Sequence, residues 1–188
     1  MSMSGEATES KNAERLDYYL AQIANYDREA LAEIYHLTSA AVFGFALSIL
    51  KNMQDAEDVL HDTYLRIYAA AGGYKSMGKP MAWILTITRN LSLMKLRRRK
   101  KTVELSPEEW NLAWDKHPNI TPEDRIVLMA CLEKLSAEER QIVILHSVSG
   151  FKHREVAEFL SLPLSTVLSK YHRAIKKMRV LLTEGGVT

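Results

Sequence analysis

The sequence predicts an all-α chain of two small helical domains joined by a flexible linker, and three observations carry that prediction. Apolar residues recur three, four or seven positions apart through most of the chain, and no stretch of useful length alternates as a strand does. Between residue 102 and about residue 121 that period is lost, and Pro107, Pro118, Glu104, Glu108, Glu109 and Asp115 stand in its place. Charge is also sorted into blocks, acidic from Asp55 to Asp62 and basic from Arg89 to Lys101 and from Lys170 to Arg179.

A formal charge of only +2 over 188 residues therefore does not exclude a nucleic-acid partner, because the sorting of charge matters more than its sum. The single cysteine, Cys131, excludes an internal disulfide framework and supplies no cysteine cluster for a metal. It reads as a small apolar helix residue in a reducing interior. The N-terminus has no apolar core of signal-peptide length, and no run approaches the roughly 20 apolar residues of a membrane helix. A soluble, cytoplasmic chain without a membrane span is expected.

Residues 1–13 are polar and small and read as a disordered tail, so that the first domain occupies 14–101. Leu16, Tyr19, Leu20 and Ile23 define a short amphipathic helix. Asp27 is placed to cap a longer one with Leu31, Ile34, Tyr35, Thr38, Val42, Phe45 and Ile49 along its inner stripe. After Asn52 a third helix runs from about Asp55 to Ala70, with Ala56, Val59, Leu60, Tyr64 and Ile67 inward. Its outer face carries Asp55, Glu57, Asp58 and Asp62 with no basic residue among them; this is either helix-dipole electrostatics or a docking surface for a basic partner. The glycine-containing segment 71–79 is a loop, and Pro80 opens a fourth helix. That helix is expected to bury Trp83, Ile84, Ile87, Leu91 and Met94, and it runs into the basic tract Lys95 to Lys101, which with Arg89 could neutralise several phosphates.

Beyond the linker, 102–121, the second domain is expected over 122–184. Thr121 can cap a helix through about Lys134, and Ser136 a further one, with Glu139 in the capping-box position and Ile142, Val143 and Leu145 inward. Gly150 ends it. Phe151 to Arg179 then reads as a helix, a turn at Ser161-Leu162-Pro163, and a basic helix whose stripe is Val167, Tyr171, Ala174, Ile175, Met178 and Leu182. The other face offers Ser165, Thr166, Ser169, Lys170, Arg173, Lys176, Lys177 and Arg179, with no acidic residue from Ser165 to Arg179. Hydroxyls at such a helix start suit phosphate, and the next turn can reach base edges in a major groove.

No phosphate loop, dinucleotide fingerprint or nucleophile elbow is found, and His36, His61, His117, His146, His153 and His172 fall in no metal-ligand spacing. A binding protein is expected rather than an enzyme, with no cofactor, no metal and no small-molecule substrate.

The order of acidic helix, glycine-containing loop, Pro-x-x-Trp helix with a basic end, acidic linker and C-terminal helix-turn-helix resembles the extracytoplasmic-function sigma factors of bacteria. Four stretches carry the match: Asp27 to Ala30; Asp55 to Asp58 through Thr63 and Tyr68; Pro80 and Trp83 through Arg89 and Asn90 to Arg97 and Arg98; and Leu135 to Arg140 through Glu155 to Ala157, Thr166, Val167 and His172 to Ala174. The resemblance implies that the first domain is sigma region 2, whose acidic helix docks on core RNA polymerase through Asp55, Glu57, Asp58, His61 and Asp62. It implies that Tyr74, Lys75, Ser76 and Lys79 in the loop, with Arg89, Asn90, Arg97 and Arg98 on the helix, bind and melt the minus-10 element of promoter DNA.

The second domain would be region 4, reading the minus-35 element through Ser165, Thr166, Ser169, Lys170, Arg173 and Lys177, and an anti-sigma factor would hold the protein in reserve. Trp83 reads as core rather than as a stacking platform. Ser165, Leu168, Lys170 and Met94 depart from the family's common residues, and a lysine at position 170 cannot make the bidentate guanine contact that an arginine makes. A stand-alone helix-turn-helix regulator is the rival expectation, and it leaves the acidic helix unexplained.

Overall fold

The computed structural model describes residues 3–99 and 134–184. Among these the secondary structure is helical throughout: α1 (Met3–Ala24), α2 (Arg28–Leu50), α3 (Met53–Ala70), a short 3-10 turn (Ala71–Gly73), α4 (Pro80–Arg99), α5 (Ala137–Val143), a π-helical turn (Ile144–Val148), α6 (His153–Leu160) and α7 (Leu164–Glu184). The helix expected to start at Thr121 lies, as far as residue 133, outside the described residues, and so do the linker, Cys131 and His117.

Local chemistry accounts for most boundaries. Asp27 caps α2 by accepting from the amides of Glu29 (2.8 Å) and Ala30 (3.2 Å), and Asn52 caps α3 by accepting from Asp55 N (2.8 Å). Ser136 and Glu139 form a reciprocal capping box at α5, with Ser136 N donating to Glu139 Oε2 at 2.8 Å. The turn between α6 and α7 departs from the expected reason. Ser161 takes a left-handed conformation (φ 55°) and Leu162 N returns to the carbonyl of Ala157 at 2.9 Å, so α6 is closed by a Schellman-type cap before Pro163 is reached.

At the other end, α1 begins at Met3 where a disordered tail through residue 13 was expected. Beyond Gly5 the segment holds alanine, glutamate and lysine without a proline, so nothing in it breaks a helix that the buried Leu16, Leu20 and Ile23 anchor.

The core explains the largest departure. α2 was expected to bury one stripe, yet Ala41, Val42, Phe43, Phe45, Ala46, Leu47, Ser48 and Leu50 are all buried. α3 and α4 cover one flank of this helix, and α5, the π-turn and α6 cover the other. One hydrophobic cluster thus runs from Leu20 and Ile67 through Phe45 to Ile142, Leu145, Phe151 and Val156. Phe45 meets Phe159 edge-on at 5.7 Å between ring centroids. Gly44 lies against Ile144, and a Cβ there would stand 3.4 Å from Ile144 Cδ1. Arg140, 4 % exposed, donates to the carbonyls of Ser48 (3.4 Å) and Leu135 (2.8 Å), tying the two halves of the chain through backbone acceptors.

Double burial also explains why α2 is long and apolar enough, with a window of mean hydropathy 1.4, to match a membrane span by length and composition. The expectation that no run approaches that character is corrected for α2. On α4, Ile84, Leu85, Thr88 and Ser92 face inward, and Met94, expected in the core, is 46 % exposed.

Candidate nucleic-acid interface

α3 presents its acidic residues in two rows. Asp55, Asp58 and Asp62 follow at i, i+3 and i+7, and Glu57 and His61 at i and i+4. His61 Nδ1 lies 2.8 Å from the Glu57 carbonyl oxygen. The absence of a basic neighbour in sequence does not survive folding: α4 brings Lys95 to 3.3 Å from Asp55 Oδ1 and 2.5 Å from Asp58 Oδ2. Burial works against the Lys95 ammonium, but the two carboxylates outweigh it and hold its pKa above the ordinary lysine value. Asp62 and His61 remain exposed to solvent, Asp58 is the more open of the two paired acids, and Glu57 is half-buried. Lys95 was read only as part of a basic run; no spacing rule links it to a helix more than thirty residues earlier.

The loop after α3 divides. Lys75, Met77 and Lys79 are exposed, Met77 at 85 %. Tyr74 packs on Trp83 with centroids 4.8 Å apart, and its hydroxyl donates to Asp17 Oδ1 at 2.5 Å. Burial and then the Asp17 carboxylate push the Tyr74 phenol well above its usual pKa. The Ser76 hydroxyl donates to Asp17 Oδ2 at 2.6 Å, and Lys79 Nζ stands 3.5 Å from Glu158 on α6. In sequence Asp17 is one acid among several on its helix, and its partners lie 57 and 59 residues away.

Along α4, Asn90, Met94, Arg97 and Arg98 share one face at i, i+4, i+7 and i+8, which is why Met94 is open to solvent. Arg89 is half-buried at the edge of that face.

In the helix-turn-helix, Val167 and Ala174 of α7 are buried while Ser165, Ser169, Arg173 and Lys176 are exposed and Thr166 is half-buried. Two of the expected DNA contacts are engaged elsewhere. Lys170 Nζ lies 2.8 Å from Glu138 Oε2, and Lys177 Nζ donates to Glu139 Oε1 (3.0 Å) and Oε2 (2.8 Å). Burial alone would raise the Glu139 pKa, but Lys177 and the Ser136 amide outweigh it and hold the carboxyl below its ordinary value. Arg173, Lys176 and Lys177 line a shallow groove with Lys134, a cation the sequence reading had placed only at the end of a helix.

Beneath α7, His146 and His153 stack with centroids 3.9 Å apart and both meet Tyr171 edge-on, at 4.9 and 4.8 Å. Burial, with His146 and His172 nearby, lowers the His153 pKa. These histidines look scattered in sequence; the turn through Gly150 brings the two together, and the α6–α7 turn returns Tyr171 against them.

The described residues thus form an all-helical protein with one acidic helix face, one basic helix face beside a loop, and a C-terminal helix-turn-helix. The family model for sigma-70 region 2 matches residues 34–102, and that for sigma-70 region 4 matches residues 125–178. Curated relatives include the ECF RNA polymerase sigma factor SigK of Mycolicibacterium vanbaalenii, 27 % identical, with 89 % of each chain covered. SigK of Mycobacterium tuberculosis strain H37Ra is 26 % identical, covering 87 % of this chain and 91 % of that one.

Among solved structures, CnrH in complex with the cytosolic domain of CnrY superposes with a TM-score of 0.58 at 21 % identity, covering 90 % of this chain and 98 % of that one. The sigma factor RpoE of Bartonella quintana, in complex with the anti-sigma factor NepR, gives 0.59 at 24 % identity, covering 81 % and 96 %. The chain belongs to the sigma-70 family, among its ECF sigma factors.

Proposed function

We propose that this chain is a promoter-specificity subunit of bacterial RNA polymerase, acting in the cytoplasm without catalysing a reaction. Region 2, over 14–101, binds core polymerase through α3 and opens the minus-10 element with the 74–79 loop and α4. Region 4, over 122–184, reads the minus-35 element with α7, and residues 102–121 link the two. The observation that carries this reading is the co-occurrence in one chain of an acidic helix face, a basic face beside a loop with an exposed cation and apolar tip, and a helix-turn-helix. A duplex reader alone requires only the last of these. Each DNA contact is modest, and engagement of two elements through the polymerase supplies the selectivity.

On α3, Asp62, His61, Asp58 and Glu57 are the proposed polymerase contacts, with Asp55 set back beside Lys95. On the DNA side, Lys75, Lys79, Asn90, Arg97, Arg98 and the edge residue Arg89 are the proposed minus-10 contacts, with Tyr74 and Ser76 anchored beneath them. Ser165, Thr166, Ser169 and Arg173 are the proposed minus-35 contacts. Lys170 and Lys177 reach DNA only by leaving Glu138 and Glu139. An anti-sigma protein is the proposed regulator, of the kind found with RpoE of Bartonella quintana in its complex with NepR.

The test is reconstitution. Adding the chain to core polymerase is expected to start transcripts at promoters selected from a randomised DNA pool, and failure to bind core polymerase would overturn the reading.

A further inference from the structure

Asp17 of α1 holds the 74–79 loop from beneath, although 57 and 59 residues separate it from the two hydroxyls that it binds. Each carboxylate oxygen accepts one hydroxyl, Tyr74 at 2.5 Å and Ser76 at 2.6 Å, and charge-assisted bonds of this kind are the strong ones. Tyr74 is in extended conformation (φ −69°, ψ 130°) and half-buried, while Ser76 is exposed at the rim of the same latch. Tying positions 74 and 76 to one carboxylate fixes the path of the chain around them, from which Lys75 and Met77 extend into solvent, Met77 at 85 %. The ring of Tyr74 on Trp83 and its amide on the Ala71 carbonyl (3.0 Å) hold the start of the loop, and Asp17 extends that hold to Ser76. Gly72 and Gly73 precede the loop, Gly78 within it has φ +70°, and the long, exposed Lys79–Glu158 pair stands at its far end.

We infer that Asp17 is a positioning residue for strand capture: it sets the loop, before DNA arrives, in the shape that presents a cation and a soft apolar side chain together. That pair suits a backbone phosphate and an unstacked base of a single strand. The inference rests on the promoter-opening reading above. A loop ordered in advance loses less entropy on capture, and in a duplex the capture energy must also offset unpairing of the bases. Loss of the latch should then be felt where the strand must be won from a duplex, and little where it is already free and the template is saturating.

The experiment compares wild type, Asp17→Ala, Asp17→Asn and the Tyr74→Phe/Ser76→Ala double variant, the last leaving Asp17 in place. Amide exchange of the full-length chain reads the loop directly. Initiation by reconstituted holoenzyme is measured on a duplex promoter selected by the wild type and on the same promoter carrying a mismatched bubble across the minus-10 element. Asp17→Ala and the double variant are expected to speed exchange at residues 74–79 about five-fold or more, with α2 and α3 unchanged. They should lower duplex initiation about ten-fold while changing bubble initiation less than about two-fold, with Asp17→Asn between wild type and alanine. Unchanged exchange, or equal losses on both templates as a general loss of folded protein would give, overturns the inference. Wild-type chain that binds core polymerase yet initiates on neither template overturns the promoter reading and the capture role together, while the exchange arm still decides whether Asp17 orders the loop.

Discussion

Lys95 of α4 sits between two carboxylates of α3, 3.3 Å from Asp55 and 2.5 Å from Asp58, so part of the acidic face is neutralised from within the fold. A reversal at Asp58 would put a lysine beside Lys95 and mix a binding effect with a folding one. Asp62 has no such entanglement. Asp62→Lys is expected to weaken core-polymerase binding about ten-fold or more with little change in melting temperature, whereas Asp58→Lys should lower both. Fluorescence titration of labelled protein with core polymerase measures this, and wild-type affinity in Asp62→Lys would leave α3 with capping electrostatics alone.

The Glu139–Lys177 pair predicts an acid-sensitive second half. The folded-state pKa of Glu139 lies below its unfolded value of about 4.3, so the unfolded chain binds more protons between the two. The stabilisation is therefore fully present above that unfolded value and is lost as pH falls through the lower folded one. Glu139→Gln should flatten this part of the melting-temperature profile between about pH 5 and pH 3. Parallel profiles for the two proteins would mean that the pair contributes nothing to folding.

Arg173 and Lys177 should separate on DNA although both lie on α7. Arg173 is exposed and, among the described residues, its guanidinium bonds the Ser169 carbonyl on its own helix, at 3.4 Å, while Lys177 is held by a carboxylate whose side chain is 5 % exposed. Arg173→Ala is expected to weaken minus-35 duplex binding and to reduce the slope of log affinity against log salt by about one. Lys177→Ala should act on stability instead, by about 1 kcal/mol, because it strands a buried carboxylate. Equal salt slopes in the two variants would contradict this division.

Phe45 fills the seam between the halves. It is fully buried and its partner ring belongs to α6, so Phe45→Ala should cost about 3–5 kcal/mol in denaturant unfolding. A cost below about 1 kcal/mol would show that the seam does not contribute to the stability of the folded chain.

What was legible in the sequence follows the reach of local rules. Caps such as Asp27, Asn52 and Ser136 act over two or three residues, and the stripes through Leu20, Ile34, Leu60 and Val167 follow from helical period alone. Side chains that answer to a distant helix were misread. Asp17 and Lys95 looked like surface charges because their partners are tens of residues away, and Met94 was assigned to the core from a stripe one position out of phase with Ile84, Leu85, Thr88 and Ser92. Lys170 and Lys177 were counted with the basic face because no spacing rule reveals that Glu138 and Glu139 lie across from them.

The two-sided burial of α2 also has a bearing on synthesis. Part of its length, at Gly44 and Phe45, lies against Ile144 and Phe159, which leave the ribosome much later. At ordinary elongation rates of about 5–20 residues per second, the interval is on the order of ten seconds. During it a nascent chain carries an uncovered strip of alanine, phenylalanine and leucine, long enough for a chaperone to bind before the C-terminal helices arrive.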